Sequence, residues 1–124
     1  MSVSNLSGNQ KRRMKSASRL YAVQALFQME ASSQPIDAVL KEFEKHRMGV
    51  EIDGIRLEDG DVDHFSQVVA GAVNNQARID QMTDRALVAK WPIARIDPTL
   101  RALFRAAGAE FVEGDTPPKV TIVE

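Results

Sequence analysis

Residues 11–31 read KRRMKSASRLYAVQALFQMEA. The stretch holds neither glycine nor proline, and Leu20, Val23 and Phe27 recur at helical spacing, with Ala22 and Leu26 widening the stripe. It predicts a helix whose first turns are basic and whose later turns are buried. Lys11, Arg12, Arg13, Lys15 and Arg19 supply the charge. Positions 12, 15 and 19, three and four apart, share one side of those turns and can address one run of phosphates. Ahead of the helix, residues 1–10, MSVSNLSGNQ, are polar and aperiodic and are expected to form a disordered leader.

Downstream, SSQP stops the first helix, and Pro35 suits a first helical position because its missing N–H would be unsatisfied there anyway. Ile36, Val39, Leu40 and Phe43 then mark the apolar face of a second helix. The stretch MGVEIDGIRLEDGD (48–61) permits a hairpin around Asp53 and Gly54, but a loop is expected, since nothing else offers a partner sheet. Asp61 or Asp63 caps a third helix with Phe65, Val68, Val69, Ala72 and Val73 on its face and Gly71 inside, where another helix is expected to cross closely. A fourth helix carries Ile79, Met82 and Ala86 and is expected to end near Lys90, before Pro92. Asp97 followed by Pro98 starts a fifth, with Leu100, Leu103, Phe104, Ala107 and Phe111 on its face, Gly108 permitting a close crossing and Gly114 ending it. About five helices with short links predict one all-α domain over 11–124, a compact helical bundle. In the closing TPPKVTIVE (116–124), Pro117 and Pro118 end any helix and Val120, Ile122 and Val123 present apolar surface, so the domain is expected to be incomplete there.

With 124 residues the chain has room for one core, and with no cysteine it has no disulfide, thiolate metal site or cysteine nucleophile. The composition fits a cytoplasmic protein, and no apolar run is long enough to span a membrane. The net charge of −1 hides a segregation: residues 1–29 carry +5 and no acid, while residues 30–124 carry −6. A cationic arm on an acidic body makes a local field for phosphates. His46 and His64 have no metal-ligand spacing partner and are expected at the surface. Asp59, Asp61 and Asp63 imitate a calcium loop, but His64 stands where the turn needs glycine and Ala70 where a bidentate glutamate belongs, so helix capping explains them. Without a phosphate loop, nucleophile elbow or arguable carboxylate pair, no catalytic residue, metal or cofactor is assigned, and the chain is not read as an enzyme.

Binding remains, and the arm accounts for affinity better than for specificity. Tyr21, just after the basic run, either stacks a base or sits at the core edge, and Trp91 reads as a packing anchor.

The runs KSASRLYAVQALFQME (15–30), FSQVVAGAVNNQARID (65–80), WPIARIDPTLRALFRAAGAEF (91–111) and TPPKVTIVE resemble, in this order, the NusB family of transcription antitermination factors. The resemblance spans about residues 11–124 and implies an all-helical bundle that binds the boxA element of ribosomal RNA transcripts. It also implies a partner, the ribosomal protein NusE, with which the factor joins the elongating RNA polymerase complex. The family's arginine-rich start falls on Lys11, Arg12, Arg13, Lys15 and Arg19, whereas Ser16, Ala17 and Ser18 stand where other members often continue the basic run. Asp97 and Glu110 match the family pattern and mark an expected partner surface. Members continue after TIVE with a helix beginning NEAVELAK or similar and another carrying FVNG. A bundle lacking these last helices is expected to expose an apolar groove, through which a homodimer can form. Two other readings fit parts of the pattern: the NusB-like RNA-handling domain of a ribosomal RNA cytosine methyltransferase, and a helical adaptor whose arm docks on an acidic protein.

Overall fold

A computed structural model describes residues 7–52, 54–87 and 96–113. It is all-α: helices α1 (Gly8–Ser32), α2 (Ile36–His46), α3 (Val62–Asn74), α4 (Gln76–Ala86) and α5 (Pro98–Glu113), with one small hairpin, β1 (Glu51–Ile52) and β2 (Ile55–Arg56). Expectations for Lys90, Trp91, Pro92, Gly114 and the closing nine residues lie outside the described residues.

The first helix begins three residues earlier than expected, because Ser7 and Gln10, at the end of the expected leader, form a cap; residues 1–6 of that leader lie outside the described residues. The Ser7 hydroxyl accepts from the Gln10 N–H at 3.1 Å, while the Gln10 side chain accepts from the Ser7 N–H at 2.8 Å. This reciprocal box satisfies two donors that helix geometry would otherwise leave open. Asp61 caps α3 by accepting from the His64 N–H at 3.0 Å, and Asp97 caps α5 by accepting from the Thr99 N–H at 2.8 Å.

The expected loop at 48–61 is a hairpin. Glu51 pairs with Arg56 and Ile52 with Ile55, antiparallel. The Leu57 N–H donates to the Val50 carbonyl at 2.8 Å and the Gly49 N–H to the Glu58 carbonyl at 3.2 Å, which extends the ladder. Gly54 at φ 79° supplies the left-handed turn. Two strands this short need support from elsewhere. The Tyr21 hydroxyl provides it from α1, donating to the Glu58 carbonyl at 2.7 Å.

The helices close around one core. α1, α3 and α5 pack on one another, α2 bridges α1 and α3, and α4 packs on α5. Arg19 meets Glu110 while Glu30 meets Arg101, so α1 and α5 run antiparallel. At one end of the core Phe43 stacks on Phe65 (centroids 5.6 Å, planes 27° apart) and takes the edge of Tyr21 at 6.3 Å. At the other, the expected close crossing at Gly108 is present: a Cβ there would stand 2.5 Å from Ile79 Cγ2.

Two stripes face differently from expectation. On α1 the core side is Ser18, Tyr21, Ala22, Ala25 and Leu26, whereas Leu20 and Phe27 are 58% and 40% exposed. On α5 the core side is Ala102, Ala106 and Ala109, whereas Leu100, Leu103 and Phe111 are exposed. Small residues let α1, α3 and α5 approach closely, and the larger side chains are displaced to the rim. Val73 and Met82, expected on the core faces of α3 and α4, are likewise exposed.

Candidate nucleic-acid interface

The first two turns of α1 carry the arm. Lys11, Arg12, Arg13 and Lys15 are all exposed. Arg12 donates to the Asn9 side chain at 2.6 Å, and Asn9, Arg12, Arg13 and Ser16 line a shallow hollow of about 460 Å³. The partial positive charge of the capped helix start adds to theirs, so the end of α1 is an anion-attracting edge. Next to it, the residue three positions after Lys15 has to be neutral. Ser18 is fully buried, accepting from the Asp61 N–H at 2.6 Å with the Met14 carbonyl 2.8 Å from its hydroxyl. A cation at this position would lie under the start of α3, which is a physical reason for the break in the basic run.

The fifth arm residue is placed differently. Arg19 turns inward and its Nε–H donates to Glu110 Oε1 at 2.7 Å, with His64 Nε2 3.3 Å from the same oxygen. Glu110 is 5% exposed and His64 is buried. Two expectations are thereby corrected: Glu110 is not a surface residue offered to a partner, and His64 is not a surface histidine. The cluster joins α1, α3 and α5, and a buried carboxylate at this point needs a cation within hydrogen-bond reach. One cue was available: Glu110 lies on the Ala102–Ala106–Ala109 stripe, where an acid has to be paired.

Tyr21 is also inward. Its ring is 6% exposed and edges onto Phe43, so it offers no open face to a base. Burial, then the charges of Glu58 and Asp59, hold its hydroxyl above the usual tyrosine range, against the opposing pull of Arg47. Asp97 remains at the surface, at the far end of an apolar groove between α1 and α5. That groove encloses about 580 Å³ and is lined on its two walls by Leu20, Val23, Leu100, Leu103 and Ala107. It adjoins the basic hollow through Ser16, which lines both.

A second ion cluster secures the opposite end of the helix pair. Glu30 accepts from Arg101 and Arg105, and Arg105 also grips Asp80 with two contacts of 3.0 and 3.1 Å. The Arg101 hydrogen bond, against the opposing effect of burial, holds the Glu30 carboxyl below its ordinary range. Among the described residues no group of three or more His, Cys, Asp or Glu is arranged to hold a metal, and no helix is long and apolar enough to cross a membrane.

This bundle, with a basic first helix and an Asp-Pro start to the fifth, matches the NusB family over residues 16–124. The chain belongs to the NusB family. Among its relatives, the transcription antitermination protein NusB of Nitrobacter hamburgensis is 42% identical over 117 residues, covering 94% of this chain and 73% of its own length. That of Brucella abortus is 42% identical over 107 residues, covering 86% and 63%. That of Granulibacter bethesdensis is 41% identical over 120 residues, covering 93% and 74%. The chain thus spans 63–74% of the length of these NusB proteins. No solved structure matches it. NusB proteins are regulatory rather than enzymatic. The family match starts at Ser16, so Lys11 to Lys15 precede the matched segment and rest on their own geometry.

Proposed function

We propose that the chain is an RNA-binding antitermination factor that seats single-stranded boxA-type RNA on the exposed start of α1. In this reading Lys11, Arg12, Arg13 and Lys15 contact phosphates, and Arg19 shapes the edge through its pairing with Glu110. The observation that carries the reading is the clustering of four exposed cations and a capped helix start on an otherwise acidic protein. The names of the relatives, transcription antitermination protein in each case, support the regulatory setting. In the cytoplasm the factor would act with the ribosomal protein NusE, docked around Asp97, within the elongating RNA polymerase complex. Self-association through the α1–α5 groove is part of the proposal, and a strictly monomeric mass by light scattering would remove it.

Reversing Arg12 and Arg13 to glutamate tests the core of the reading. Both side chains lie outside the packed face, so the variant is expected to keep the circular dichroism and melting of the parent while losing at least tenfold in affinity for boxA RNA. NusE binding should persist. Unchanged RNA affinity in a folded variant would refute the arm assignment, and intact NusE binding with no RNA binding by the parent protein would favour a protein adaptor.

A further inference from the structure

The hairpin and α1 enclose a cleft of about 560 Å³ whose walls include Leu20, Gln24, Arg47, Ile55 and Leu57. It is not part of the arm, yet it lies in line with it. Arg13, Ala17, Leu20 and Gln24 stand four, three and four residues apart, one stripe of α1, and the rise per residue sets Gln24 roughly 16 Å beyond Arg13. Arg47 occupies the turn after α2. Its guanidinium carbon sits 5.0 Å above the centre of the Phe43 ring, which itself stacks on Phe65. Four-residue spacing produces that cation–π contact, and the ring stack behind Phe43 backs it. Among the described residues Arg47 forms no ion pair, it is only half-buried, and it lines a second opening beside Gln24 and Phe27. Arg47 thus has Phe43 on one side and borders both openings.

We infer that this cleft takes one unstacked RNA base, seated against the Arg47 guanidinium with its edge toward the Gln24 amide. The inference rests on the RNA-binding reading and adds what the buried Tyr21 cannot supply, a stacking surface. Planar guanidinium groups are established platforms for splayed bases, and the apolar walls from Leu20, Ile55 and Leu57 suit a flat aromatic occupant. Charge leaves room for a neutral base: Glu58 lies on the rim with Arg47, and Asp59 beside it is paired with Arg56 at 3.5 Å, so the mouth carries no excess of cations to draw a phosphate in. The phosphates stay at the arm, and the strand runs along α1 from one site to the other.

The test uses the full chain and boxA RNA carrying 2-aminopurine at successive positions. With the parent protein, emission should change on binding at one position displaced from the segment held by the arm. Arg47→Ala should abolish that change and weaken binding about tenfold, without altering the slope of affinity against salt. Arg47→Lys should behave like Arg47→Ala, because it keeps the charge and loses the plane. Gln24→Ala, on the exposed side of α1, should leave melting unaltered and weaken binding about threefold. Full affinity in Arg47→Lys would make Arg47 a phosphate contact and overturn the base site. Full affinity in Arg47→Ala, while the Arg12 and Arg13 reversal still abolishes binding, would overturn it and leave the arm intact. Absence of RNA binding by the parent protein would overturn both.

Discussion

The α1–α5 pair has a closed side and an open side, and they differ in a direction opposite to residue size. The closed side is built from Ala22, Ala25, Ala102 and Ala109, and the ionic cluster of Arg19, Glu110 and His64 lies at its border, with Arg19, Glu110 and Ala106 also reaching the groove. The open side presents Leu20, Phe27, Leu100 and Leu103. Alanines bring the helix axes together, so the closed side excludes water well enough to require that its charges be paired. The open side has the larger apolar surface and no cover among the described residues, which is the property of a face meant for contact. Burial here follows closeness of approach, not bulk.

The comparison can be broken by substitution. Phe43→Ala removes a fully buried ring from between Tyr21 and Phe65 and should cost about 3–5 kcal/mol, read as a lower denaturant midpoint at unchanged slope. Glu110→Gln leaves Arg19 buried without its counter-charge and should cost about 3 kcal/mol, whereas Arg19→Met with Glu110→Leu should recover much of that loss in a double-mutant cycle. The Glu30 cluster is partly exposed, and its removal by Glu30→Gln should cost on the order of 1 kcal/mol at neutral pH. Because the Glu30 carboxyl titrates below its ordinary value of 4.5 when folded, that contribution is full above pH 4.5 and is lost as pH falls through the folded value. The parent and Glu30→Gln melting curves should therefore converge in acid. On the open side, Leu103→Ser should change stability by no more than about 0.5 kcal/mol; a loss of several kcal/mol would mean that this face is packed in solution.

Helix number, order and most caps were legible because they depend on local chemistry: Asp61, Asp97 and Pro98 act on their own neighbours. The hairpin is legible in Asp53-Gly54, but the sequence offers no sheet to support it; Tyr21 supplies that support from α1. The capping box at Ser7 and Gln10 was visible too, hidden by the polarity of its surroundings. What sequence spacing could not assign was the facing of α1 and α5. Each carries two apolar stripes, and only the positions of α3 and α4 decide which one is closed. The same ambiguity puts Arg19 on the arm and leaves Tyr21 between a base contact and the core edge, while the family pattern alone puts Glu110 on a partner surface. Arg47 carries no signal in the sequence, because its surroundings depend on Phe43 and on a hairpin brought to it by the fold.

The central claim is that exposed cations on the start of α1 hold RNA phosphates, and the dependence of affinity on salt measures it most directly. Five arm cations would permit a slope of log K against log salt near −3.5 for single-stranded RNA; with Arg19 committed to Glu110, four remain and the slope should be about −2.8. Replacing Arg12 and Arg13 by glutamine should reduce its magnitude by about 1.4. A slope that is unchanged by the double replacement would contradict the account, since the phosphates would then be held elsewhere on the molecule.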